Sequence, residues 1–319
     1  MLAITMGDAN GVGPEIILKA YNNKEIYGDF VVVGDYSVLF AADEKLGCGV
    51  PLKPISAVEE FNPGVLNVLD AGLLKRERLT PGKISKEVAA ASRQYVVTAT
   101  QMTRQGIFDA LVTLPVNKEA IRMTDPGFTG HTELIAGLCG RNKYTMMLAG
   151  KNLTVTHVST HVSMARAIEN VKRRNVLDVI RLTHDALGHF IENPRIAVAG
   201  LNPHAGENGM FGTQETDEIN PAVNDAVKLN IEAVGPLPPD TVFWRCLRGE
   251  FDAVVCMYHD QGHIPMKLLD FGNVVNVTLG LDIIRTSVGH GTAFDIAWKG
   301  EACSGSLAAA FNYVRKLKK

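Results

Sequence analysis

The stretch Leu2–Ala20, LAITMGDANGVGPEIILKA, decides the fold. Leu2 to Met6 is a short apolar run, the pattern of a buried strand. A glycine-rich turn follows, and a helix starts from about Pro14. The same alternation recurs outward along the chain. Apolar runs at Phe30 to Val33, Ala110 to Thr113, Leu153 to Val158, Ile196 to Leu201 and Ala253 to Met257 read as strands, with longer amphipathic stretches between them. Ser163 is placed to cap a helix carrying Met164, Ala165, Ile168 and Val171. Strands alternating with helices predict an α/β fold around a largely parallel sheet. In such folds ligands bind beyond the carboxyl ends of the strands.

The turn GDANGVGPE leaves two readings open. Its backbone amides can face a phosphate or carboxylate, or it is a tight turn that simply needs glycine. It is neither GxGxxG nor a Walker sequence.

The 319 residues, 46% of them hydrophobic, suffice for one large domain or two medium ones. No repeat, low-complexity segment or linker stands out. A formal charge of −2 speaks against a general polyanion binder, so no nucleic acid partner is expected. Lys316, Lys318 and Lys319 read as a solvated helix end. Cys48, Cys139, Cys246, Cys256 and Cys303 are widely spaced without a CxxC pair, which fits reduced thiols in a cytoplasmic protein. The opening MLAITMGD shows no secretory signal, and no stretch approaches the roughly 20 apolar residues of a membrane span.

Histidine carries the strongest chemical signal. His131 sits in FTGHTE, His157 and His161 in VTHVSTHVS, His204 in LNPHAGE, His259 and His263 in YHDQGH, and His290 in SVGHGTA. Several follow strands, whose ends converge in space. Neutral imidazoles bind divalent transition metals well. The pairs His157/His161 and His259/His263 have i, i+4 spacing, which on a helix puts both rings on one face. Neither segment reads as helical: the first is β-branched, and the second contains Gly262 and Pro265. Without HExxH or a nucleophile elbow, a zinc hydrolase is disfavoured. Lys267, Asn276 and Arg285 flank the apolar stretch Val274 to Ile284 and are the partner types a phosphorylated acid needs. Taken singly, each reads more readily as a solvated surface residue. HGTAFDIAWKG has the small and acidic residues of a loop that wraps an adenosine.

Together these stretches resemble the 4-hydroxythreonine-4-phosphate dehydrogenase family of vitamin B6 biosynthesis. The matching segments are ITMGDANGVGPEI, LVTLPVNKEAI, FTGHTELIA, STHVSMARAI, LNPHAGENGMFGTQE, MYHDQGHIPMK and VNVTLGLDIIRTSVGHGTAFDIA, in family order from Met1 to about Ala297. The resemblance implies a two-lobed fold like isocitrate and isopropylmalate dehydrogenases, with the active site in the interdomain cleft. Lobe one would be residues 1–125 with 285–319, and lobe two residues 126–284. It implies NAD-dependent, divalent-metal-assisted oxidation, with decarboxylation, of a 4-phosphorylated 3-hydroxy acid such as 4-phosphohydroxy-L-threonine. The enzyme would be a cytoplasmic homodimer whose metal site (Zn, Mg, Co, Mn or Ni) draws histidines from both subunits.

Carried over by motif, His161, His204 and His259 would bind the metal. His131, Thr132, Lys267, Asn276 and Arg285 would bind substrate, and His290, Gly291, Thr292, Ala293 and Asp295 the nucleotide. Asp260 and Lys118 are the candidates for proton transfer, Asp260 also for orienting a ligand. The chain departs from the usual family pattern at Ala9 and Asn10, and at Gly289, where the family has Asp. His157 and His263 resemble the branch acting on 4-phospho-D-threonate and 4-phospho-D-erythronate. Gly289 supports a further alternative, a catalytically inactive binding protein of the same fold.

Overall fold

The computed structural model describes residues 1–270 and 272–318. Lys319, one of the three terminal lysines, lies outside the described residues. Twelve strands run in chain order: β1 Leu2–Thr5, β2 Phe30–Gly34, β3 Leu52–Ile55, β4 Leu66–Asp70, β5 Ala110–Thr113, β6 Thr145–Ala149, β7 Thr154–His157, β8 Ile196–Ala199, β9 Ala233–Leu237, β10 Ala253–Cys256, β11 Val275–Leu279 and β12 Ile284–Ser287.

The chain divides into two compact units. Unit 1 comprises Met1–Asn142 and Leu281–Arg315, and unit 2 comprises Lys143–Gly280 with the chain end from Lys316. Within unit 1 the strand order is β3-β4-β2-β1-β5-β12. Every neighbouring pair there is parallel, Leu2 lying between Phe30 and Ala110, and Ile284 beside Ala110. β1, β2 and β5 are buried along their whole length, as strands of a parallel sheet covered on both faces must be. In unit 2 the order is β11-β6-β7-β10-β8-β9. β6 runs antiparallel to both β7 and β11, while β7, β10, β8 and β9 are parallel.

The division differs from the lobes implied by the resemblance at 126–142 and 281–284, which belong to unit 1, and at the chain end from Lys316, which belongs to unit 2; the first is the largest difference. Packing is the reason. The helix His131–Leu138 lies against the helix Lys86–Arg104, and Phe128 shares a small core with Ala89, Ala120 and Ile121, against which Leu134 packs.

Ser163 caps the helix Met164–Asn170 as expected, accepting from the Arg166 amide at 3.3 Å. The YHDQGH segment, by contrast, forms the first turn and a half of a helix, His259–Leu269, despite Gly262 and Pro265. Tertiary contacts override the local preference. Buried Gln261 accepts from the Met257 amide at 2.6 Å and donates to the Gly200 carbonyl at 2.8 Å. Gly262 is the point of closest approach to the sheet: a Cβ there would stand 2.6 Å from His157 Nε2 and 3.0 Å from Cys256 Sγ. Only glycine lets this helix sit so low. Among the described residues, no helix is long and apolar enough to cross a membrane.

Candidate active site

The glycine-rich opening turn resolves first. The amide of Asp8 donates to the Pro115 carbonyl, that of Asn10 to Asp8 Oδ1, that of Gly11 to the Asp8 carbonyl and that of Val12 to the Thr292 carbonyl, all at 2.8–3.0 Å. These four amides serve the fold, so the tight-turn reading prevails here over an anion cradle.

In unit 1, β5 ends at Thr113 and leads into the turn holding Asn117, whose side chain caps the helix Lys118–Arg122 by accepting from the Ala120 amide at 2.8 Å. Lys118 is thereby the first helical residue. Its Nζ and Glu133 Oε2 both approach Gly130, 3.2 and 2.8 Å from where a Cβ would stand. His131 and Thr132 open the next helix. Arg285, 2% exposed on β12, donates to Thr113 Oγ1 from Nε (3.2 Å) and Nη2 (2.7 Å), and to Thr132 Oγ1 from Nη1 (3.5 Å). Burial lowers its pKa to about 10, with Glu133 opposing.

Four of the unit 1 residues picked from sequence are thus together: Lys118, His131, Thr132 and Arg285. Burial, then Arg285 and Lys118, hold the His131 imidazole down to about 3, so it is neutral at ordinary pH. Its Nε2 is buried and has no hydrogen-bond partner. A buried polar atom without a partner costs about 1–3 kcal/mol, which a ligand atom can restore. Asp8 is an addition that the sequence did not single out. Burial pushes its carboxyl up to about 6, against the amides of Asn10 and Asn117. An acid directly behind a strand, inside a glycine-rich turn, was the signal available for it.

In unit 2 the imidazoles form a ring cluster at the ends of β7 and β10. The His259 and His263 rings stack 3.5 Å apart at 14°. His157 lies 4.8 Å from His263, and His161 lies 5.5 Å from His259, centroid to centroid. His259 Nδ1 donates to Asp260 Oδ1 at 2.6 Å, which leaves the lone pair on Nε2, the tautomer of a metal-ligating histidine with a carboxylate behind it. That contact holds the Asp260 carboxyl below its ordinary range. His157 is 1% exposed; its Nδ1 donates to the Met146 carbonyl at 3.2 Å, and its Nε2 is buried without a hydrogen-bond partner. Burial pushes its pKa down to about 3, and that of His263 to about 4, the neighbouring imidazoles adding to the effect.

His204 is presented differently. It begins a left-handed run in which His204, Ala205, Glu207 and Asn208 all have φ between 43° and 56°. Each such non-glycine residue costs about 1–2 kcal/mol. Glu215, 3% exposed, holds the base of the run by accepting from the amides of Leu201 and Asn202, both at 2.7 Å, and from Asn202 Nδ2 at 2.9 Å. The ring contact of exposed His204 is with Phe211, at 6.3 Å. Lys267 lies exposed in the last turns of the helix His259–Leu269, and Asn276 lies on β11 with a buried Oδ1 lacking a hydrogen-bond partner.

Tested against a divalent cation, the chain supplies part of a site. His161 and His259 are close, and His259 has the backing a ligand needs. Among the described residues, no group of three or more His, Cys, Asp or Glu side chains is arranged to hold a metal ion. The three histidines named from sequence, His161, His204 and His259, are thus not gathered into one ligand set by the described residues of this chain.

The segment His290–Ala297 has no strand or α-helix of its own. His290 Nδ1 lies 2.9 Å from the Gly291 carbonyl, while Nε2 is buried without a hydrogen-bond partner. Thr292 is tied to the opening turn through its carbonyl, Ala293 has φ 42°, and Gly291 and Asp295 are exposed. An orphaned ring nitrogen beside exposed backbone fits a nucleotide-binding segment.

Comparison with known proteins follows the same line. Residues 27–314 match the family described as pyridoxal phosphate biosynthetic protein PdxA. The chain is 43% identical to the D-threonate 4-phosphate dehydrogenase of Salmonella typhimurium, over 99% of this chain and 98% of that one. It is 45% identical to the 4-hydroxythreonine-4-phosphate dehydrogenase of Beijerinckia indica, over 99% and 95%. The crystal structure of a 4-hydroxythreonine-4-phosphate dehydrogenase from Klebsiella pneumoniae superposes with a TM-score of 0.89 at 40% identity, covering 100% of this chain and 99% of that one.

Proposed function

Because the chain belongs to the PdxA family of dehydrogenases, we propose that it oxidises a small 4-phosphorylated 3-hydroxy acid with NAD, assisted by a divalent metal and accompanied by decarboxylation. D-Threonate 4-phosphate is the favoured substrate. The observation that carries the reading is the unit 1 set: a buried guanidinium, a lysine and a neutral imidazole at the start of one helix.

That set is suited to an anion. Arg285 offers a planar fork for a carboxylate or phosphate, Lys118 a mobile positive charge, and the Thr132 hydroxyl a further hydrogen bond. His131, held neutral, can donate to or accept from the ligand at Nε2 without adding charge. A nicotinamide nucleotide supplies the hydride acceptor and a divalent cation the Lewis acid when bound. His161 and His259 would hold that cation, with His204 of a second copy completing the donors, and Asp260 keeps the lone pair on His259 Nε2. Exposed Val162, Met164, Ile168, Met210, Phe211, Ile264 and Leu268 on the same three segments support a homodimer. Lys118 Nζ is the candidate proton donor to the carbon that loses carbon dioxide, and Lys267 and Asn276 bind the remaining polar groups of the substrate.

Two features favour D-threonate 4-phosphate. Relatives of that name match the chain over almost its full length, and His157 and His263 both join the imidazole cluster. The second reading, 4-phosphohydroxy-L-threonine, rests on the 45% identity to the Beijerinckia indica enzyme. The two substrates differ at carbon 2, a hydroxyl in one and an ammonium in the other. NADH formation with each substrate tests both: turnover of the threonate at ten or more times the kcat/KM of the amino acid is expected. Preference for the amino acid reverses the assignment, and turnover of neither with NAD or NADP leaves the inactive binding protein.

A further inference from the structure

Asn10, in the opening turn of unit 1, is fully buried. Its side chain is completely used. The Thr80 amide donates to Oδ1 at 2.9 Å, and Nδ2 donates to Thr80 Oγ1 at 3.2 Å and to the Lys83 carbonyl at 3.0 Å. The Asn10 carbonyl also accepts from the Gly82 amide at 2.8 Å. All four bonds go to one turn, Thr80–Lys83. Its sequence TPGK suits a type II turn: Pro81 in second place, Gly82 in third with φ +81°, and the Lys83 amide donating to the Thr80 carbonyl at 3.0 Å.

That turn is itself on the surface, with Thr80 and Lys83 exposed. What it touches inward is the segment named above as nucleotide-binding. A Cβ on Gly82 would stand 2.8 Å from the Phe294 carbonyl. The opening turn grips the same segment from its other side, the Val12 amide donating to the Thr292 carbonyl at 3.0 Å and Trp298 Nε1 to the Ala9 carbonyl at 3.1 Å. A segment without a helix or strand is therefore braced twice, and both braces end in residues 9–12.

We propose that Asn10 is a positioning residue for the nucleotide. It does not touch the ligand; it fixes the Thr80–Lys83 turn against Phe294 and so sets the shape of His290–Asp295. The inference rests on the reading of that segment as the nucleotide site. A buried amide whose every side-chain bond runs to one exposed turn has no packing purpose that a smaller apolar residue would not meet.

The test uses the full-length protein and the variants Asn10→Ala and Gly82→Ala. NAD+ binding is titrated by calorimetry without substrate, and amide hydrogen exchange is followed at 80–83 and 290–298. Both variants are expected to bind NAD+ about tenfold more weakly, to exchange faster at 290–298, and to keep the KM for the phosphorylated acid within about twofold. NAD+ affinity within twofold of the unaltered protein, or unchanged exchange at 290–298, overturns the proposal. If Asn10→Ala does not fold, Gly82→Ala decides alone: it leaves the Asn10 side chain in place, while an alanine at φ +81° strains the same turn and presses on Phe294. An unaltered protein that binds neither NAD+ nor NADP+ defeats the functional reading and the proposal with it. Normal binding that both variants leave intact defeats the proposal only.

Discussion

His131 in unit 1 and His259 in unit 2 occupy the same local position, the first residue of a helix, one following the short helix Lys118–Arg122 and the other following β10. Their surroundings are opposite. His131 has Arg285 and Lys118 as its charged neighbours and a sealed Nε2. His259 has a carboxylate hydrogen-bonded to Nδ1 and the His263 imidazole stacked on its ring. Burial, then the two cations, makes protonation of His131 unfavourable, and the cations with the positive end of the helix make a bound anion favourable. A carboxylate behind His259 fixes its tautomer and leaves its other nitrogen free to accept a cation. The neighbours, not the residue type, set which charge each imidazole is placed to meet.

The contrast can be broken at several points. Removing the cation-facing ring should have the largest effect: His259→Ala is expected to reduce turnover to background while the midpoint of thermal unfolding moves little, because the ring is only partly buried. Arg285→Lys keeps the charge beside His131 but loses the fork, and should lower kcat/KM about tenfold to a hundredfold, chiefly through KM. Asp260→Asn weakens the backing of His259, and a competition titration with a chromophoric chelator should show about tenfold weaker metal binding.

The last effect is on stability. With its folded pKa near 3, His131 stays neutral while the unfolded chain takes up a proton below about pH 6.5. Stability is therefore lost as pH falls from 6.5 toward 3, at up to about 1.4 kcal/mol per pH unit from this group. Denaturant unfolding across that range checks it, and His131→Gln should flatten its share of the slope.

Much of this arrangement is legible in the sequence, and the exceptions have physical causes. β1, β5 and the Ser163 cap are local patterns, an unbroken apolar run or a hydroxyl three residues ahead of a free amide, and they form where expected. β3 escapes notice because Lys53 and Pro54 suit a strand at the edge of a sheet, where neither burial nor a second ladder is required. The helix His259–Leu269 is hidden by Gly262 and Pro265, whose local preference yields to packing on His157 and Cys256. The stacking of His263 on His259 follows from that helix and was out of reach without it. The left-handed run at His204 depends on Glu215, eleven residues away, and no local pattern announces it. Asn10 looked like an incidental departure in a glycine-rich turn until its partners at Thr80 and Lys83 were in place.

The cation-binding role of the unit 2 imidazoles is tested most directly by metal content and turnover together. The purified protein is analysed for bound metal, stripped with a chelator, and assayed for NADH formation from D-threonate 4-phosphate before and after a divalent cation is restored. Loss of turnover on stripping and its recovery with the cation, both absent in His259→Ala, is the predicted result. Undiminished turnover by the fully stripped protein would contradict the account.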